Sequence, residues 1–241
     1  MKVEKNKEKK PSPTEFDSMA DGFDNLVKEG LGIFAVYREG ILNYKLEYLK
    51  RLVPYTPKSI LEYGCGVGLY IPYLKECFPN AEIYGCDVSP ESIRQVSENI
   101  PDCHFDLIEV PEDLKVYEGK IDCVFVNCVL HHIPPEEHKQ WLTALYTYMK
   151  KDTYLVIFEM NMYNPLSRWF VKRTPIDDNA TMLTPKYCKT LIRDIFGKDK
   201  KTKVKLKYTY FFPWRNKVFK TIEYQLTWIP LGAQYCVVVK K

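Results

Sequence analysis

From residue 59 to residue 160, short apolar runs alternate with segments of helical period. SILEYG is followed by LYIPYLKECF, AEIYGCD by SPESIRQVSENI, then CHFDLIE; IDCVFVNCV is followed by EEHKQWLTALYTYMK, then TYLVIFEM. Strands and helices in alternation, with short connections, predict a parallel sheet covered by helices on both faces. IDCVFVNCV is apolar enough to be buried on both faces. Ser89 before Pro90, and Thr184 before Pro185, read as helix starts. Upstream, residues 15–53 read as helices. ILNYKLEYLKRLV places Ile41, Tyr44, Leu46, Leu49 and Leu52 near one face, with Lys45, Lys50 and Arg51 mostly off it. Downstream, KVKLKYTYFF alternates as a half-exposed strand, with Lys203, Lys205, Lys207 and Thr209 on its wet face. RNKVFKTIEYQLTWIPLG reads as helical until Pro230, and AQYCVVVKK closes the chain as a strand.

Composition narrows the function classes. With 241 residues, 46% of them hydrophobic, the chain suits one domain with a sizeable core. A net charge of +4, from 35 basic and 31 acidic residues, is too mild for a nucleic-acid binder. Much of the excess sits in MKVEKNKEKK, read as a solvated tail. No apolar stretch approaches the roughly 20 residues of a membrane span, and the amino terminus lacks the apolar core of a signal peptide. Of the eight cysteines, Cys65, Cys86, Cys123, Cys128 and Cys236 lie in apolar or glycine-rich segments. No C-x-x-C pair occurs, so neither a zinc site nor a thioredoxin-like centre is expected. A reduced, cytoplasmic protein without a metal is the simplest account.

The stretch LEYGCGVGLY carries Gly64, Gly66 and Gly68 where the first strand runs into a helix, with Glu62 just upstream. Such a turn lets backbone amides touch a ligand, at the end of the sheet where ligands bind. A P-loop needs G-x-x-x-x-G-K-S/T, and no lysine follows Gly68. A dinucleotide fingerprint needs glycine at position 69, which is Leu69. A pyrophosphate is anionic, so Glu62 beside it costs electrostatic energy. The same carboxylate suits a cationic ligand, and S-adenosylmethionine has both an ammonium and a sulfonium. Asp87, at the end of the second strand, can accept the hydroxyls of a ribose.

The stretches ILEYGCGVG, YGCDVSPESI and IDCVFVNCVLHHI resemble the successive motifs of class I S-adenosylmethionine-dependent methyltransferases, strongly over residues 59–160 and more loosely beyond. The resemblance implies an α/β fold: a Rossmann-like seven-stranded, mostly parallel sheet of order 3-2-1-4-5-7-6, its last strand antiparallel, with helices on both faces. It implies Glu62, Gly64, Cys65 and Gly66 along the methionine and ribose of the donor, with Gly68 in the same site. Asp87 would hold the ribose, Val88 pack on adenine, and Asn127 and Cys128 meet the methionine. For an acid reaching the adenine amino group, FDLIEVPEDL offers Glu109 or Asp106, and Glu109 is taken. The expected organisation is a disordered basic tail (1–14) and a single domain (15–241). That domain has a helical cap or lid (15–56), in which Phe16, Phe23 and Tyr44 either cover the pocket or pack the first helices, and a core (57–241) with a substrate-side insertion (161–183).

The expected reaction is direct, SN2-like methyl transfer to a small-molecule acceptor, leaving S-adenosylhomocysteine. A sulfonium is already activated, so the protein needs mainly to align the acceptor. A general base helps if the acceptor is a hydroxyl or ammonium, and His132 and His131 are the candidates, with simple packing as the alternative. FEMNMYNPLSRWF resembles an E-x-N-P-x-N-P-L-S/T-R stretch in a group of bacterial small-molecule methyltransferases, with Met162 in place of the first proline. TPIDDNA resembles the CPFDEDA of that group, with Asn179 in place of its second aspartate. Glu159, Asn161 and Asn164 are the substrate-side candidates, turn hydrogen bonds being the alternative for the asparagines. After the fourth strand the chain has NCVL rather than the D/N/S-P-P-Y/F/W of DNA-base methyltransferases, which disfavours a nucleic-acid acceptor. Two other classes stay open: a nicotinamide-dependent oxidoreductase on a related sheet, and a non-catalytic S-adenosylmethionine-binding protein. Neither the acceptor nor the oligomeric state follows from these residues.

Overall fold

The apolar runs form β1 (Ser59–Tyr63), β2 (Glu82–Asp87), β3 (His104–Leu107), β4 (Cys123–Asn127) and β5 (Tyr154–Met160); the last third adds β6 (Lys205–Thr209) and β7 (Gln234–Lys240). The structure, a computed structural model, describes residues 13–20, 22, 25, 29, 32–197, 202–212, 214 and 216–241. The expected basic tail lies outside the described residues as far as residue 12, and Phe23 lies outside them too. The strands make one seven-stranded sheet of order β3-β2-β1-β4-β5-β7-β6. β1 to β5 pair in parallel, while β7 runs antiparallel to β5 and β6, as the resemblance implied.

The helices are α1 (Pro13–Ala20), α2 (Arg38–Leu52), α3 (Ile71–Cys77), α4 (Pro90–Asn99), α5 (His138–Tyr148), α6 (Pro165–Val171), α7 (Pro185–Phe196) and α8 (Lys217–Leu226). Strand side chains alternate between two cores. Leu61, Val124, Val126, Leu155 and Ile157 pack with Leu142 and Leu145 of α5 and Ile192 and Phe196 of α7. Ile60, Phe125, Val156 and Phe158 pack on the other face with Leu46 and Leu49 of α2 and Ile71 and Leu74 of α3. Each such buried side chain contributes about 1.5–3 kcal/mol relative to exposure. The expected helix starts hold: Ser89 Oγ accepts the N–H of Ser92 at 3.0 Å, and Thr184 Oγ1 accepts that of Tyr187 at 3.2 Å. Ser89 Oγ also donates to Asp17 Oδ1 at 2.6 Å, which ties α1 to the start of α4.

Two expectations about wet faces are corrected. Lys45 is not on the polar face of α2 but 2% exposed. On β6, Thr209 is fully buried and Lys207 half-buried. The segment after α8 covers that face, with Tyr208 N–H donating to Thr227 O at 2.7 Å and Lys207 Nζ to Thr227 Oγ1 at 3.3 Å. Among the described residues, no helix is long and apolar enough to cross a membrane.

Candidate active site

A cavity of about 510 Å³ opens where β1, β2 and β4 end. The glycine turn is its floor. Gly64 and Cys65 N–H both donate to Cys86 O, at 2.8 and 2.9 Å. Asp87 closes the turn from β2: its Oδ2 accepts Gly66 N–H at 2.8 Å and its Oδ1 accepts Ser89 N–H at 3.0 Å. A Cβ added to Gly66 would meet nothing within 4 Å, so this backbone borders open space, as a cradle for a ligand must. Gly68 corrects the sequence reading. It does not line the cavity; a Cβ there would fall 2.5 Å from Val96 Cγ2, so its role is close packing of α4.

Glu62 is 3% exposed and lines the cavity, and its Oε2 has no hydrogen-bond partner. Burial, and then the charge of Asp87, push its carboxyl well above the usual range, against the pull of Lys45. Burial also raises Asp87, opposed by the N–H groups of Gly66 and Ser89. Val88, Glu109, Asn127 and Cys128 line the same cavity. Asp106, the other acid weighed for the adenine contact, is off the cavity wall and accepts the Tyr117 hydroxyl at 2.9 Å.

Lys45 is the residue that sequence reasoning missed. It reaches from α2 to donate to Asn127 Oδ1. Its ammonium lies 5.3, 5.4 and 5.7 Å from the ring centroids of Phe158, Tyr70 and Tyr210. Burial lowers its pKa, opposed by Cys128, Glu159, Cys236 and Glu62. A signal existed: Lys45 falls three residues after Leu42 and four before Leu49, on the buried stripe of the helix.

At the far end stand the two histidines, in a short turn after β4 (Leu130–His132). His131 is 2% exposed. Its Nδ1 donates to Glu159 Oε2 at 2.5 Å, and its Nε2 lies 3.4 Å from Asp177 Oδ1. Burial opposes a charge on His131, but Glu159 and Asp177 overcome it and push the imidazole up to about 10. His132 packs beside it with ring centroids 4.2 Å apart, and Phe16 of α1 meets His132 edge-on at 5.2 Å. Burial, and then the charge of His131, hold His132 well below the usual imidazole range. A neutral-pH general base is therefore a poor description of His131.

Glu159, Asn161 and Asn164 do not line the cavity. Glu159 stands behind His131 and also accepts Leu130 N–H at 2.9 Å. Asn161 is fully buried, donating to Gly232 O at 2.8 Å and Pro230 O at 3.2 Å. Asn164 caps α6 and donates to Leu231 O at 2.6 Å. Both asparagines are pins between loops, because backbone groups take their amides. Asp177, from a short turn after α6 (Pro175–Asp177), takes the place at the cavity that was expected for them.

Residues 60–152 match a family described as a methyltransferase domain. The trans-aconitate 2-methyltransferase of Escherichia coli O139:H28 (strain E24377A / ETEC) is 32% identical over 91 residues, 37% of this chain and 34% of that protein. The chain thus spans about a third of the length of that curated relative. A SAM-dependent methyltransferase from Archaeoglobus fulgidus superposes with a TM-score of 0.60 at 20% identity, over 83% of this chain and 94% of that one. The plantazolicin methyltransferase BamL, solved with a triazolic desmethylPZN analog and S-adenosylhomocysteine, gives 0.61 at 15% identity over 95% and 90%. The fold is thus that of these methyltransferase structures, and residues 60–152, which hold the glycine turn, are similar to a methyltransferase domain.

Proposed function

We propose that the chain is an S-adenosylmethionine-dependent methyltransferase that acts on a small-molecule acceptor by direct in-line displacement. The observation that carries this reading is Glu62, a buried carboxyl with an unpartnered oxygen beside a glycine turn. It calls for a cationic group and repels a pyrophosphate. The donor supplies a sulfonium-bound methyl group. Glu62 takes its ammonium and Asp87 the ribose hydroxyls, while Val88 and Ile108 flank the adenine and Glu109 meets the adenine amino group. Gly64, Cys65, Gly66, Asn127 and Cys128 line the rest of the donor's path. His131 and His132 stand at the acceptor end. The helical segment 15–56 and the insertion 161–183 cover the site, since Phe16, Leu42, Trp169 and Ile176 all face the cavity. S-adenosylhomocysteine in the BamL complex supports the donor, and the relatives' names support a small acceptor over a nucleic acid. Eight free cysteines, most of them buried, favour a reducing, cytoplasmic setting.

The test is calorimetry with S-adenosylmethionine and with NADH, then labelled donor with a metabolite extract and mass spectrometry of labelled products. Saturable binding of NADH alone would favour an oxidoreductase. Donor binding with no labelled product would favour a non-catalytic binding protein.

Glu62 gives a prediction in which stability and affinity part. Its raised carboxyl contributes stability that is complete below the ordinary glutamate value of about 4.3 and is lost as pH rises through the folded-state value. Glu62→Gln removes that loss. Near neutral pH the donor-free variant is expected to melt at or above the wild-type temperature, with a flatter dependence on pH. Its donor affinity is expected to fall about tenfold or more, the worth of a hydrogen bond to a charged group. A variant that melts lower yet binds the donor normally would contradict the assignment.

A further inference from the structure

We infer that His131, His132 and Asp177 form a binding site for a divalent transition-metal ion, one that holds an oxygen of the methyl acceptor; only the acceptor's part rests on the methyltransferase reading. The three ligand atoms lie within 4.8 Å of one another. Ligands about 2.0–2.2 Å from one ion, at tetrahedral or right angles, sit about 2.8–3.6 Å apart. His131 Nε2 and Asp177 Oδ1 are at 3.4 Å as they stand, and His132 Nε2 and Asp177 Oδ1 at 3.7 Å need to close by a few tenths of an ångström. His131 Nε2 is buried and makes no hydrogen bond, so it is an orphan aimed into the cluster.

What lies behind the ligands fits as well. Glu159 takes the Nδ1 proton of His131 at 2.5 Å while its other oxygen holds Leu130 N–H at 2.9 Å. That orients the ring and keeps the Nδ1 proton in place when Nε2 gives up its own to an ion, as outer-shell carboxylates do for metal-bound histidines. Charge balance points the same way. A dication held by two imidazoles would match the two carboxylates, Glu159 and Asp177, that face the cluster. Two imidazoles and a carboxylate suit zinc, cobalt, iron or nickel rather than calcium or magnesium. All three ligands line the cavity wall, so the remaining positions on the ion open toward the acceptor. The preferred acceptor is therefore one with an oxygen able to ligate the ion, such as a hydroxyl or a carboxylate. The two histidines then act as ligands and not as proton acceptors.

The experiment is titration of the chelator-stripped full chain with Co2+, read by visible absorption, with Zn2+ as competitor. One saturable equivalent is expected. Asp177→Asn, which keeps the side-chain shape, and His132→Ala should each weaken it at least about tenfold, and Glu159→Gln by about 10- to 100-fold. In the wild-type protein, paramagnetic Co2+ should shift the imidazole proton signals of two histidines, a readout that needs no variant to fold. No saturable site, or unchanged affinity in Asp177→Asn, would overturn the inference. Donor calorimetry on the same stripped protein keeps the readings apart: donor bound without a metal site removes only this inference, and a metal site without donor binding removes the methyltransferase reading.

Discussion

Asp87→Ala is expected to raise the dissociation constant for S-adenosylmethionine at least tenfold, and up to about a hundredfold. Asp87 has two jobs. It accepts Gly66 N–H and Ser89 N–H, and so holds the glycine turn against β2. In the proposed complex it also takes the ribose hydroxyls. Hydrogen bonds to a charged group are worth about 1.5–3 kcal/mol each, and roughly 1.4 kcal/mol is tenfold in affinity. The cost in stability is expected to be smaller, because the folded protein already disfavours the charged form of this buried carboxylate. Asp87→Asn keeps the shape and one acceptor oxygen, and should fall between alanine and wild type. Calorimetry that finds wild-type affinity in Asp87→Ala would remove the ribose assignment.

Gly64→Ala should be the most damaging single change to stability among those considered. Gly64 has φ +73°, in the left-handed region, and an added Cβ would lie 2.5 Å from Val129 Cγ2 and 2.8 Å from Val129 Cγ1. Left-handed strain costs about 1–2 kcal/mol and overpacking about 1–3. A loss of about 2–5 kcal/mol lowers the melting temperature by about 4–20 °C in a chain of this size. Gly66→Ala is the control. It too has a positive φ, +51°, but its Cβ would enter open space. The methyl group then costs little beyond strain and occupies the donor's cradle, so donor affinity falls while the fold persists. Equal melting of Gly64→Ala and wild type in a thermal scan would show that the turn is not held as described.

The glycine turn shows how far the residues alone reach. The pattern of strands, the helix starts at Ser89 and Thr184, and the glycine turn flanked by Glu62 and Asp87 are local or periodic properties, and they were legible. Gly68 was misread because spacing does not say whether a missing Cβ makes room for a ligand or for a helix. Asn161 and Asn164 were misread because an amide bound to distant carbonyls looks, in sequence, like one free for a substrate. Lys45 was misread because its charge was weighed above its place on the apolar stripe of α2.

By itself the sequence determined the sheet and brought out the glycine turn with its two acids, since hydrophobic period and local spacing act over a few residues and need no distant partner. The histidine end of the cavity was decided only by tertiary structure. His131, Glu159 and Asp177 come from three separate segments, and Lys45 reaches Asn127 across 82 positions of chain. Which charges face one another in a buried cavity depends on packing between elements, and that is where their protonation, and any ion they hold, is set.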